Sequence, residues 1–588
     1  MDEYVECIRR NGDEMLGQSM PELLEEKFAL YETTGNRLIY EEDYFRRRKF
    51  LAVFGCLAIL DGKKEYLDKL CQVMLGICEE ECWALPAHVN RSREPHWRVK
   101  VDLFASETAH ALSEIMHLLG EKLPEQVRET VHKNVMERVL EPVIEAPIPY
   151  QPWERSGHNW NAVCSGSVGC AAIYQMQGEP ERLEALLCRL AESLPCYIDG
   201  FGEDGACMEG LAYFSYGFVY YAGFAQVLGR YVEERIRSEG RKALPEALLN
   251  AADLLSSEKC RRIAMFQQCC YFPSGRTLSF SDGESRDHYR MGLTCSLARR
   301  YPEVELPPVS CASGFEGDSC YRFMACLRDV LWTKQYLESL EKKGPESADT
   351  AQAEEAPACI VLPYAQWCIC RGRSGGGMAC KGGHNEEPHN HNDVGSFLYL
   401  LGDEMLLCDL GCGEYTRQYF SEERYTILCN SSLGHSVPIL GGREQKEGRR
   451  YGCSSFEADG EGNVRVEFAG AYESSAARSL VRQLAYDPAA ETLEVEDVLT
   501  LTEDGLSMRE NLVTQYEPKV QDGVILLRGS RHACRILVPE GSGELQVEAR
   551  NHSNHQGQPE TVYCISWEVP MTGEGVRGCR FRVEPVQV

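Results

Sequence analysis

Apolar residues recur at two different periods along this chain, and the change of period divides it. Up to about residue 342 the spacing is helical. Leu67, Leu70, Cys71, Met74, Ile77 and Cys78 follow the i, i+3, i+4, i+7 rule of one helix face. Val127, Val131, Val135 and Val139 recur every fourth residue, and Leu183, Leu186, Leu187, Leu190 and Leu194 form another stripe that Pro195 closes. Helices of this kind, separated by Pro and Gly breaks, predict helical hairpins packed in succession. From residue 358 the period falls to two. Val464, Val466 and Phe468 alternate with polar residues, as do Leu545, Val547 and Ala549, then Tyr563, Ile565, Trp567 and Val569, then Cys579, Phe581 and Val583. Short alternating strands with Gly and Asp-Gly turns predict a large antiparallel β domain. The small, polar and acidic stretch 343–357 reads as a linker. The expected plan is a helical domain over 1–342 and a β domain over 358–588, with a cleft between the halves as the natural ligand site.

Composition narrows the class. The chain has 588 residues, too many for one ordinary core, and its 43% hydrophobic and 26% charged content is that of a globular protein. No apolar run approaches a membrane span, and the acidic start Met1-Asp-Glu-Tyr-Val-Glu lacks the apolar core of a secretory signal. Twenty-eight cysteines in a chain of this length read as reduced thiols of a cytoplasmic protein, and their spacings match no zinc ribbon. The net charge of −29 argues against a nucleic-acid or anionic-membrane partner. An acidic ligand would need local basic groups, which Arg46-Arg47-Arg48-Lys49 and the Arg91–Lys100 stretch could supply. The bland reading of each such charge is a solvated helix face.

Three clusters carry candidate chemistry. The first, Ser156-Gly-His-Asn-Trp-Asn, sets His158, Asn159, Trp160 and Asn161 where a helix begins. A helix N-cap accounts for Asn159 alone, while Asn side chains beside a Trp ring suit sugar binding. The second, from Asp204 to Tyr221, is dense in aromatics. Phe218 and Tyr220 read as core. Tyr216, placed at a helix start after an Asp-Gly turn, reads as an accessible phenol with Tyr213 beside it. The third is His389-Asn-His-Asn-Asp, which leads into a strand-like run from Ser396 to Leu401 and a hairpin. On an extended strand His389 and His391 share a face, which suits a metal pair or one ligand beside one acid/base. His391, Asp409 and His435 are two imidazoles and a carboxylate near successive strand ends, a donor set that suits zinc.

His389-Asn-His-Asn-Asp-Val-Gly-Ser-Phe, Asp409-Leu-Gly and Ser432-Leu-Gly-His435-Ser-Val-Pro together resemble the signature of the heparinase II/III-like polysaccharide lyases. Asn159-Trp160, and Glu209-Gly210 followed by Tyr216-Gly217, resemble that family's helical-half signatures. The resemblance implies an N-terminal incomplete (α/α) toroid followed by a C-terminal antiparallel β-sandwich. It implies β-elimination on uronic-acid glycans, with Asn159 neutralising the carboxylate and Tyr216 and His389 as the acid/base pair, which of them is base being left open. It implies a structural zinc on His391, Asp409 and His435. Trp160, Asn161 and Tyr213 are the expected substrate contacts. Two departures stand out. Trp160 replaces a histidine found in some relatives, so no second imidazole is expected in the helical site. Ser436 replaces an asparagine common after the metal histidine, which bears on the metal's support.

The expected partner is an acidic oligosaccharide or polysaccharide, as imported fragments in the cytoplasm, with no nucleic acid or membrane and with homo-oligomerisation left open. Two other classes remain. One is an (α/α)-barrel glycoside hydrolase using a carboxylate pair from Glu203, Asp204 and Glu209, which leaves the histidines idle. The other is a non-catalytic glycan-binding protein.

Overall fold

The computed structural model describes residues 1–146, 151–343, 358–502 and 505–587. The proposed linker lies outside the described residues apart from Lys343. The chain forms two compact units. One gathers Met1–Phe201, Tyr213–Ala264 and the segment from His288; the other gathers Gly202–Ala212, Met265–Asp287 and the C-terminal segment.

The first unit is helical, an incomplete (α/α) toroid. The leucine stripe becomes the helix Pro180–Ser193, with Leu183, Leu186, Leu187 and Leu190 buried. Pro195 opens a further short helix, Pro195–Asp199, because a proline is tolerated in a first turn. The four valines are all buried. Their strict four-residue spacing lags behind a 3.6-residue helix. The helix Glu125–Val135 accordingly runs into a wider π turn, Met136–Leu140, which restores the face. The helices Leu103–Leu119 and Asn159–Gln175 pack side by side. Just before the second of these the chain is pinned at Gly200, where a Cβ would sit 1.7 Å from the carbonyl oxygen of Gly157.

The second unit is antiparallel β-sandwich. A five-stranded sheet has the order Cys359–Leu362, Trp367–Arg371, Gly377–Lys381, Phe397–Leu401, Glu404–Leu407. A nine-stranded sheet centres on Ala477–Asp487, Thr492–Leu501 and Val576–Val586, and a four-stranded sheet on Met508–Thr514 and Pro559–Glu568. Val464, Val466, Phe468, Ile565, Trp567, Cys579, Phe581 and Val583 enter the shared core as their alternation predicts. Of the Leu545–Ala549 pattern only Leu545 packs against that core. Its strand, Gln546–Ser553, is a sheet edge and leaves Val547 41% exposed, because an edge strand with no covering layer buries neither face.

Two pieces of the chain expected in the helical half belong to this unit. Met265–Asp287 carries the short bridge Tyr271↔Thr277, and Ser274 N–H bonds the Gly375 carbonyl at 2.9 Å. Asp204 accepts the backbone N–H groups of Tyr364 (2.8 Å) and Ala365 (3.2 Å). Gly- and Ser-rich and without an apolar stripe, these segments satisfy their backbone against the β unit.

Candidate active site and metal centre

Asp282 is the hub of the second unit's polar centre. Its side chain is wholly buried, and five side chains converge on it. His389 Nδ1 (2.5 Å) and the Tyr415 hydroxyl (2.8 Å) donate to Oδ2. His391 Nε2 (3.1 Å), Arg424 Nη2 (3.2 Å) and the Tyr419 hydroxyl donate to Oδ1. Burial pushes the Asp282 carboxyl up, but the hydrogen bonds and charges of the two histidines outweigh it and hold it well below the usual carboxylate range. An ionised carboxylate only accepts, so His389 carries its proton on Nδ1 and turns Nε2 toward Glu209, 4.0 Å from Oε1. About a fifth of the His389 side-chain surface is exposed. Burial lowers its pKa, and the Asp282 hydrogen bond and charge raise it further, so the net shift is upward.

The local backbone differs from the expected strand. His389 sits in a turn with φ +58°, a left-handed conformation that non-glycine residues adopt only when their surroundings hold them there. The strand begins later, at Phe397. His389 and His391 therefore meet not by sharing a strand face but by reaching the two oxygens of one carboxylate. The Asp282 loop is seated by Gly411, whose φ is +62° and where a Cβ would lie 2.0 Å from the Gly283 carbonyl oxygen. Asp282 itself was not anticipated. Its only sequence signal is the Ser-Asp-Gly turn after the alternating Leu278-Ser279-Phe280.

Behind His389 lies a second, fully buried group. His435 Nε2 donates to the Cys429 carbonyl at 2.8 Å, so its Nδ1 lone pair faces Asp409 Oδ2 at 3.2 Å. His391 gives Nε2–H to Asp282, so its Nδ1 also carries a lone pair. Among the described residues, His391 Nδ1, His435 Nδ1 and Asp409 Oδ2 are all buried without a hydrogen-bond partner. Burying three acceptors together is costly unless a cation sits among them. The residues thus fit a metal ion. Asp393 also lies within 4.8 Å of both histidines. Both its oxygens, however, are held by Lys381 at 2.7 and 2.9 Å, so Asp409 is the better carboxylate ligand. Arg482, paired with Asp497 at 2.6 Å, donates to the carbonyls of Gly395 (2.8 Å) and Ser436 (2.7 Å) and so braces both ligand loops. The Ser436 hydroxyl accepts the Val513 N–H at 3.3 Å, and the Asn511 amide holds the His435 carbonyl at 2.8 Å.

The other expected residues stand in the first unit. Asn159 is the first residue of its helix, with His158 at the cap position and no side-chain cap, so Asn159 is not the N-cap. It is buried, and among the described residues its amide has no hydrogen-bond partner. An uncapped helix start with an adjacent amide donor suits an anion. Trp160 is half-buried. Asn161 turns inward, fully buried, and spends its NH2 on the Glu154 and Ser193 carbonyls (3.0 and 3.1 Å) and the Ser193 hydroxyl (3.0 Å). It ties the helix start together and is withdrawn as a substrate contact.

Tyr216 and Tyr213 are half-buried on the helix Leu211–Glu239, which begins before them rather than at Tyr216. The Tyr216 hydroxyl donates to Glu107 Oε1 at 2.7 Å, and the Arg322 guanidinium stacks 4.1 Å from the ring centroid. Burial and Glu107 push the phenol well above its ordinary pKa despite Arg322, so it stands protonated. Most of the basic stretches' charge is spent on carboxylates, while Arg46, bonded to the Gln18 side chain, and Arg93 stay exposed. Arg47 and Arg48 are buried against Glu80 at 2.6 and 2.8 Å, and Arg91 and Arg98 pair with Glu32 and Glu81.

No protein-family model and no curated protein matches the sequence. Solved structures do match its fold. A heparinase III gene product is 11% identical, with 99% of this chain and 90% of that one covered and a TM-score of 0.59. A mutant of heparan sulfate lyase HepC from Pedobacter heparinus is 13% identical, with 99% and 83% covered and a TM-score of 0.57. HepC itself is 13% identical, with 99% and 83% covered and a TM-score of 0.55. The chain has the heparinase III-like polysaccharide lyase fold, helical toroid followed by antiparallel β-sandwich.

Proposed function

We propose that this chain is a polysaccharide lyase that cleaves uronic-acid glycans by β-elimination. The observation that carries the reading is the Asp282–His389 dyad. A buried carboxylate fixes the tautomer and the orientation of a partly exposed imidazole, the arrangement a proton-abstracting histidine needs. The likeness in fold to heparan sulfate lyases supports it.

The chemistry assigns roles. The C5 proton of a uronate becomes removable only when its carboxylate is neutralised, because proton loss puts negative charge there. Asn159 and the uncapped helix start donate to that carboxylate, and more strongly as charge accumulates. His389 Nε2 takes the C5 proton. The C4–O4 bond breaks as the C4–C5 double bond forms, and the protonated Tyr216 hydroxyl gives its proton to O4. Glu107, bonded to that hydroxyl, is placed to return one. The donors His391, Asp409 and His435 are of the borderline type that favours zinc over magnesium or calcium. That ion would supply fixed charge that locks the 389–391 turn. Of the hydrolase reading's carboxylates, Asp204 is tied to the 364–365 backbone, which leaves Glu203 and Glu209, the latter 4.0 Å from His389. All 28 cysteines are thiols, which supports a reducing compartment and oligosaccharides as the substrates met there.

Purified protein offered heparan sulfate, chondroitin and alginate oligosaccharides should give products with the ultraviolet absorbance of a conjugated C4–C5 double bond. Tyr216→Phe and His389→Ala should lose turnover, mainly in kcat. New reducing ends without that absorbance would establish a hydrolase instead.

A further inference from the structure

A second oriented imidazole lies in the helical unit, and the roles assigned above do not use it. His88 ends the short 3-10 turn Pro86–His88. Its Nδ1 meets Asp102 Oδ2 at 2.6 Å. Asp102 is fully buried and already accepts the Ala105 N–H at 2.8 Å as the cap of the helix Leu103–Leu119, and the Leu85 N–H at 3.3 Å. The carboxylate oxygens are thus held as acceptors, which places the His88 proton on Nδ1. The ring lies parallel to Phe104, centroids 6.0 Å apart, and edge-on to Trp160 at 4.8 Å. Both flanking contacts and the carboxylate hold the ring in one orientation. About 15% of the side chain is exposed, and among the described residues no protein group hydrogen-bonds Nε2. A histidine kept only for packing has no use for a polar atom left unspent beside a half-exposed tryptophan.

We propose that His88 and Trp160 form a sugar-binding subsite for one pyranose of an acidic oligosaccharide. Trp160 offers an apolar face to the ring carbons. His88 Nε2 accepts from a hydroxyl when neutral and donates to a carboxylate or sulfate when protonated. The subsite rests on reading the chain as a protein that acts on acidic glycans, but not on its being a lyase.

The test separates ligand contact from structural support through two isosteres. Asn places its amide where Nδ1 stood and can keep the bond to Asp102, whereas Gln places its amide where Nε2 stood. In the full chain carrying His389→Ala, calorimetry measures binding of two tetrasaccharides, one of alternating glucuronate and N-acetylglucosamine and one of mannuronate. His88→Ala and His88→Asn should each weaken binding roughly tenfold, the worth of one hydrogen bond to a charged or hydroxylated sugar. His88→Gln should restore most of it, and Trp160→Ala should weaken binding without changing the melting temperature. Binding unchanged in His88→Ala, or restored by Asn and not by Gln, overturns the subsite. Failure of the parent to bind either probe overturns it together with the glycan reading. Binding that depends on His88 in a protein without eliminase activity sinks the lyase assignment alone.

Discussion

Asp282 decides what His389 can do. Without an acceptor on Nδ1 the imidazole is free to adopt the other tautomer and to rotate, and Nε2 no longer keeps its lone pair in place. Asp282→Asn keeps the volume but can present its NH2 to a ring nitrogen, which inverts the tautomer. Turnover should fall on the order of 10²–10⁴-fold with little change in KM, by analogy with the loss of the orienting aspartate in a hydrolytic triad. Initial rates of double-bond formation measure it, and a loss confined to KM would show that Asp282 is only a scaffold. The histidines of the centre were legible because they are crowded within a few residues. Asp282 was not, since it lies more than a hundred residues upstream in a segment whose local pattern says only turn. Asn161, Arg47 and Arg48 erred the other way. Residue type suggested ligand contact, but type does not reveal that a backbone carbonyl or Glu80 already occupies the donor.

Among elements, the helices could be read from their stripes because core packing and helical period agree there. The edge strand Gln546–Ser553 could not, because alternation does not say whether a second layer covers the strand. The helix Leu103–Leu119 holds a feature that no periodicity shows, a histidine at a core position. His110 is 1% exposed, and neither ring nitrogen has a hydrogen-bond partner among the described residues. Burial pushes it down from 6.5 to about 4, opposed by Glu114, 3.6 Å away, and assisted by Arg328. The sign follows from proton binding. Between about pH 6.5 and pH 4 the unfolded chain holds a proton at this site that the folded chain lacks, so lowering pH favours unfolding. The stability present above pH 6.5 should decline through that window by about 3 kcal/mol and then level off with respect to this group. Denaturant melts of the wild type and of His110→Phe across the window test it. The variant should lack this part of the decline, and parallel curves would show that His110 is not the group responsible.

For the whole molecule, the period change near residue 350 announced two units of different class. It did not announce that Gly202–Ala212 and Met265–Asp287 leave the helical stretch to complete the β unit. One of those excursions delivers Asp282 to the histidines. The candidate metal site then gathers segments far apart in sequence: His391 and its Asp282 partner, Asp409, and His435. An ion bound to the native arrangement and not to the unfolded chain stabilises by mass action, about 4 kcal/mol when free metal exceeds its Kd a thousandfold. Protein purified without chelators should hold one zinc per chain by elemental analysis. Chelation should lower the melting temperature together with activity, and zinc should restore both. His391→Ala should lose metal and stability, whereas His389→Ala should lose activity and keep the metal, because His389 spends Nδ1 on Asp282 and is not one of the metal's donors. The alternative is that a proton takes the ion's place, with His435 charged against Asp409. Protein free of stoichiometric metal and indifferent to chelator would establish that arrangement and remove zinc from the account.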